Sequence, residues 1–206
     1  MLFRSGHTFI SGPIDLACND SVTMVEGGAT IRARNTTTGW PFGLDCPEPS
    51  QGKTPKQMAP MLQVLHGRNV SIEGGGEIDA NGEMWWANAC GNWWCPPTIE
   101  PSDQTRGPTA PTAFRPFHFR VDHSEHVRIQ NISLKNAGFW TLVPVHSSHL
   151  RVLDVNVSAE YTHRPPHWPE DRHDLLDTPN TDGIEVRTVY NYLHTTLPSA
   201  SHPAPI

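Results

Sequence analysis

The chain has 206 residues, enough for one domain with a sizeable core. Its formal net charge is −6, from 15 Lys and Arg against 21 Asp and Glu, which argues against nucleic acid as the main partner because phosphate binding needs basic surface. No apolar run approaches the roughly 20 residues of a membrane span, and 20 Pro, 16 Gly and only 17% charged residues leave little room for long helices.

The opening Met1-Leu2-Phe3-Arg4 is followed by no apolar h-region, so it does not read as a signal peptide. Phe9 and Ile10 already read as strand residues, which favours an N-terminus lying beyond the chain as given. Ser21-Val22-Thr23-Met24 opens a short alternating run, a strand signal. Residues 36–60 are rich in Pro and Gly and read as an excursion. Asn69-Val70-Ser71-Ile72 then repeats the opening of the earlier run. The next segment, Gly74-Gly75-Gly76-Glu77-Ile78-Asp79-Ala80-Asn81-Gly82-Glu83-Met84-Trp85-Trp86, is dense in Gly. It has no Gly-Lys-Ser/Thr ending and no helix pattern after it, so it is a poor phosphate loop. Its glycines suit tight turns between stacked backbones, and Asp79 reads as a turn-stabilising group. Trp85, Trp86, Trp93 and Trp94 are either sugar platforms or anchors. Residues 87–113 form a second excursion.

A repeat follows. His126-Val127-Arg128-Ile129-Gln130-Asn131-Ile132-Ser133-Leu134 and His149-Leu150-Arg151-Val152-Leu153-Asp154-Val155-Asn156-Val157 match position by position, 23 residues apart. Each reads as two short strands about a corner at Asn131 or Asp154, residues that tolerate left-handed conformations. A fixed offset in this range marks a solenoid. With no helix pattern between the copies, the reading is all-β: a right-handed parallel β-helix, a single-stranded solenoid truncated at its C-terminal end. A third excursion spans residues 160–179. It holds His163, His167, His173, Asp171 and Asp174 without regular ligand spacing, so a solvated loop is expected there and no metal. The predicted β-helix domain is 1–186; residues 187–206 hold no Asp and no Gly and are predicted to form a divergent, disordered tail.

Four cysteines, Cys18, Cys46, Cys90 and Cys95, suggest disulfides over zinc, since the spacing is not Cys-x-x-Cys and no paired His follows. Asn-x-Ser/Thr acceptors at Asn19, Asn35, Asn69, Asn131 and Asn156 add weak support for secretion.

Several segments taken in order carry a family likeness. The Gly74–Trp86 segment resembles the Gly-rich, Ile-Asp, Trp-Trp signature of polygalacturonase-like enzymes, glycoside hydrolase family 28. Phe114-Arg115-Pro116, the coil from Ile132 to His146 with its Lys135-Asn136, Phe139-Trp140-Thr141 and Pro144-Val145-His146, and Pro179-Asn180-Thr181-Asp182-Gly183 resemble further family motifs. The likeness covers about residues 10–186 and concerns the N-terminal part of the family pattern. It implies a secreted glycosidase, with no cofactor, that hydrolyses α-1,4-galacturonosyl bonds in pectic polysaccharide or oligogalacturonide with inversion. No membrane partner is implied, and a monomer is expected. By the same likeness Asp182 activates the attacking water, and Asn180, Arg115, Trp140 and His146 bind substrate. Arg can clasp a sugar carboxylate in two bonds, although a structural role for Arg115 and core packing for Trp140 and His146 stand beside these readings. The family's later Gly-Asp-Asp, Gly-His-Gly and Arg-Ile-Lys motifs do not occur after Val186. This chain is therefore expected to be catalytically incomplete, and the alternative is a non-catalytic carbohydrate-binding β-helix.

Overall fold

The computed structural model describes residues 1–16, 19–36, 39–41, 58–86, 115–159 and 183–195. Short alternating apolar runs become short strands, and no cysteine lies within the described residues. The first coil carries β1 (Leu2–Phe3), β2 (Thr8–Ser11) and β3 (Ile14–Asp15). The second carries β4 (Ser21–Val25), β5 (Thr30–Ala33) and β6 (Leu62–Leu65). The third has β7 (Arg68–Glu73), β8 (Glu77–Asp79), the single-turn helix α1 (Glu83–Trp86) and β9 (Phe119–Asp122). In the fourth, β10 (Glu125–Lys135) turns one corner without a break and β11 (Leu142–Ser148) completes the circuit. The fifth has β12 (Arg151–Ser158) and β13 (Arg187–Tyr190), and β14 (Leu193–Thr195) opens a sixth.

Each strand pairs in parallel with its counterpart one coil away, which makes three stacks. The first runs β1, β4, β7, β10, β12, β14. The second runs β2, β5, β8 and the later halves of β10 and β12. The third runs β3, β6, β9, β11, β13. This is the expected all-β, right-handed parallel β-helix. The core is a set of apolar columns, among them Ile72, Ile129 and Val152 from the first stack and Ile31, Ile78 and Leu134 from the second. The 23-residue offset is the actual register, with Ile129 on Val152, Ile132 on Val155 and Leu134 on Val157. Asn131 and Asp154 take the left-handed corner as expected, at φ 48° and 52°.

Two expectations change. Matching Val22 to Val70 is wrong by one residue: Ser21 pairs with Val70 and Thr23 with Ile72. Since side chains alternate, that slip turns Val22 outward at 49% exposure and buries Thr23 and Val25. The repeat also does not stop at Val186. Val145 pairs with Arg187 and Arg151 with Leu193, so the stack continues through Thr195. The missing Gly and Asp misled there, because strand pairing needs backbone groups and neither residue type.

Most of each of the three expected excursions lies outside the described residues, and all three fall in sequence between a strand of the second stack and one of the third. They separate β5 from β6, β8 from β9 and β12 from β13. Where no excursion intervenes, as between β10 and β11, the corner between those stacks is short. It is held by Asp79, which is buried and accepts from the Asn81 backbone amide (2.8 Å) and the Asn136 side chain (3.2 Å) and pairs with Arg32 Nε (3.2 Å). Asp79 is thus turn-stabilising, as expected. Trp85 and Trp86 are buried anchors: the Trp86 indole donates to the Ala137 carbonyl (2.8 Å), and Trp85 meets Trp40 edge to face at 5.5 Å. Trp93 and Trp94 lie outside the described residues.

Candidate functional site

The third stack has a polar outer face. Phe119 and Val121 of β9 point into the core, so Arg120 and Asp122 must point out. Both are nonetheless buried, with side chains 8% and 9% exposed, and they pair at 2.6 Å. Such a pair costs desolvation to form, and losing one partner typically costs about 3–5 kcal/mol. The other Asp122 oxygen, Oδ1, lies 2.7 Å from His123 Nδ1 and 3.7 Å from His146 Nδ1. His66, His123 and His146 form a column of tilted rings, with centroids 5.4 Å and 4.7 Å apart and planes at 46° and 35°. The cause is a corner that follows β6 and β9 and falls within β11, where all three residues take positive φ of 53°, 46° and 47°. Three residues on, His126 and His149 repeat the arrangement at 4.4 Å, beside Glu125.

The opposite end of the same stack is aromatic. Phe117, Phe139 and Trp140 stack at 4.8–5.7 Å, and the Arg115 guanidinium lies 4.7 Å over the Phe139 ring. Arg115 is buried and donates to the Gly138 carbonyl at 2.9 Å. That geometry favours its structural role over sugar binding. Trp140 is half-buried and outside the core cluster, and His146 is exposed, so neither is a core residue. Arg115 and Trp140 therefore share one cluster. His146 stands within the second half of β11, six residues on from Trp140, or about 20 Å at strand rise.

The strand beyond begins where Leu142 donates its amide to the Gly183 carbonyl (3.0 Å) and accepts from the Glu185 amide (2.9 Å). Asp182 and Asn180, which precede Gly183, lie outside the described residues, as do His163, His167, His173, Asp171 and Asp174.

Sequence reasoning passed over Arg120, Asp122 and His123. A signal was available: His123-Ser124-Glu125-His126 and His146-Ser147-Ser148-His149 sit 23 residues apart, the offset already found in the strands. It also passed over His118, wholly buried between Phe117 and Phe119, whose pKa burial lowers to about 3.

The pattern of the glycosyl hydrolases family 28 matches residues 11–193. The chain belongs to that family. Among curated relatives, a polygalacturonase of Arabidopsis thaliana is 30% identical over 125 residues, which is 61% of this chain and 22% of the relative. A polygalacturonase of Chamaecyparis obtusa is 25% identical over 144 residues, 68% of this chain and again 22% of the relative. The family 28 chain thus aligns with about a fifth of the length of these relatives. Its fold is shared with solved structures. An endo-xylogalacturonan hydrolase from Aspergillus tubingensis superposes with a TM-score of 0.63 at 16% identity, covering 94% of this chain and 41% of that one. The polygalacturonase from Erwinia carotovora gives 0.60 at 19%, covering 91% and 44%.

Proposed function

We propose that this family 28 chain belongs to a secreted or extracellular polygalacturonase-type enzyme that hydrolyses α-1,4-galacturonosyl bonds in pectic polysaccharide by inversion. The observation that carries the reading is the Asn180-Thr181-Asp182-Gly183 run in a chain matched to the family along most of its length. Its last residue, Gly183, accepts a hydrogen bond from the amide of Leu142, the first residue of β11. In this reading Asp182 holds a water and takes its proton as the water attacks the anomeric carbon, while a protonated carboxyl about 6.5–9.5 Å away donates to the leaving oxygen. Asn180 and Trp140 line the sugar path, Trp140 through its ring face. Arg115 contributes by holding the aromatic cluster in place.

A second reading, a β-helix that binds the polymer without cleaving it, is favoured by one observation: Phe117, Phe139 and Trp140 stack at 4.8–5.7 Å at one end of the third stack, and aromatic rings suit the faces of sugars. One pair of assays separates the two. Turnover predicts new reducing ends from polygalacturonate, falling by about 10²–10⁴-fold in Asp182→Asn. Binding alone predicts calorimetric heat with oligogalacturonides and no reducing ends. Neither signal would remove both readings.

A further inference from the structure

We infer that Asp122, His123 and His146 form a site for a borderline divalent transition metal, zinc or copper, on the outer edge of the third stack. Their ligand atoms lie within 4.8 Å of one another. Asp122 Oδ1 is 2.7 Å from His123 Nδ1 and 3.7 Å from His146 Nδ1, distances that straddle the separation of roughly 3.3 Å between ligands bound at about 2.0–2.2 Å around a tetrahedral ion.

The carboxylate is pre-positioned. Its side chain is 9% exposed, and its second oxygen is held by Arg120 at 2.6 Å, so it can ligate through Oδ1 alone. A carboxylate fixed by an outer hydrogen bond is the usual arrangement behind a metal ligand. The two imidazoles come from successive coils in register, with Val145 beside Asp122 and His146 therefore above His123. Their ring separation of 4.7 Å follows from strand spacing, so the fold presents both Nδ1 atoms without further ordering. Three protein ligands leave one position for water. Two imidazoles and one carboxylate select zinc or copper over magnesium or calcium. The Arg120 charge beside the ion weakens the site relative to one with a free carboxylate.

A second group, Glu125, His126 and His149, is less suited. Glu125 is 43% exposed and turned partly to Arg68 at 3.7 Å, and His149 Nε2 already faces Asn191 Nδ2 at 3.1 Å.

Calorimetry of the 206-residue chain with zinc at neutral pH tests the assignment. Asparagine is the replacement of choice, because it tolerates the left-handed φ that both histidines adopt. The expected result is one zinc per chain, with affinity lowered about tenfold or more in His123→Asn and in His146→Asn, as for loss of a ligand. The His126→Asn/His149→Asn double variant should keep wild-type affinity. Zinc should also raise the melting temperature of the wild type and not of His146→Asn. Because His146 is exposed, that variant carries the test even if His123→Asn does not fold. No heat at about millimolar zinc, binding that survives both single substitutions, or binding that vanishes with the His126/His149 pair would each overturn the site. So would a preference for calcium.

Discussion

His118 has no exposed surface, and neither of its ring nitrogens has a hydrogen-bond partner among the described residues. A charged imidazolium cannot be accommodated there, so burial takes its pKa from 6.5 to about 3. The unfolded chain takes up a proton near pH 6.5 that the folded chain refuses. Stability from this residue is therefore fully present above pH 6.5 and falls as the pH drops toward 3, by up to about 1.4 kcal/mol per pH unit. His118→Leu should flatten that slope. Urea midpoints of both proteins between about pH 7 and 5, above the range where ordinary carboxylates titrate, measure it; parallel curves would dispose of the account. Asp122 shows the opposite treatment of charge. It is nearly as deep, but Arg120 lies against it at 2.6 Å and gives the carboxylate a partner inside the fold. Neither residue was legible in the sequence as special. A His between two Phe and an Asp two residues after an Arg are ordinary strings until a neighbouring coil covers them.

Among the elements, the corner after β8 is tightly constrained. A Cβ on Gly82 would lie 2.5 Å from the carbonyl oxygens of Asn136 and Ala137 and 2.7 Å from the Trp86 ring. Backbone oxygens held in the next coil cannot move aside cheaply. Gly82→Ala should therefore destabilise by about 1–3 kcal/mol, as overpacking does, and should loosen α1; thermal melts with tryptophan fluorescence would register both. An unchanged melting temperature would mean that the corner is slacker than it looks. Gly74 meets a similar barrier, with Val25 backbone atoms within 3 Å and φ at 128°. The sequence announced these corners through their glycines. It also announced the strands of β10 and β12, because Val, Ile and Leu alternate there and the spacing is bare of insertions. It misplaced β4 by one residue, since Val22 and Thr23 are both good strand formers and only pairing with β7 says which faces inward.

At the scale of the molecule, each coil touches only the coils beside it, so stability is shared between neighbours along a line. Among the described residues, coils three and four have partners on both sides, and the first coil and β14 have one. Hydrogen exchange of the 206-residue chain should find the slowest amides in β7, β10 and β11 and faster ones in β1 and β14. Uniform protection from end to end would argue instead for a single cooperative unit. The line also organises the surface. Away from the expected excursions, the other two corners are short, and their Asn, Asp and His repeat from coil to coil in the left-handed conformation.

The sequence by itself determined the class of fold, the 23-residue circuit, the left-handed Asn and Asp corner and the likeness to family 28, because each depends on which residue recurs at which spacing. Tertiary structure alone decided the rest. Strand register at β4, the continuation of the stack through β13 and β14, the burial of His118 and the meeting of Asp122 with His123 and His146 all depend on which coil lies above which. That information is spread over residues 23 to 57 positions apart, where excursions of unequal length hide the repeat from any fixed spacing.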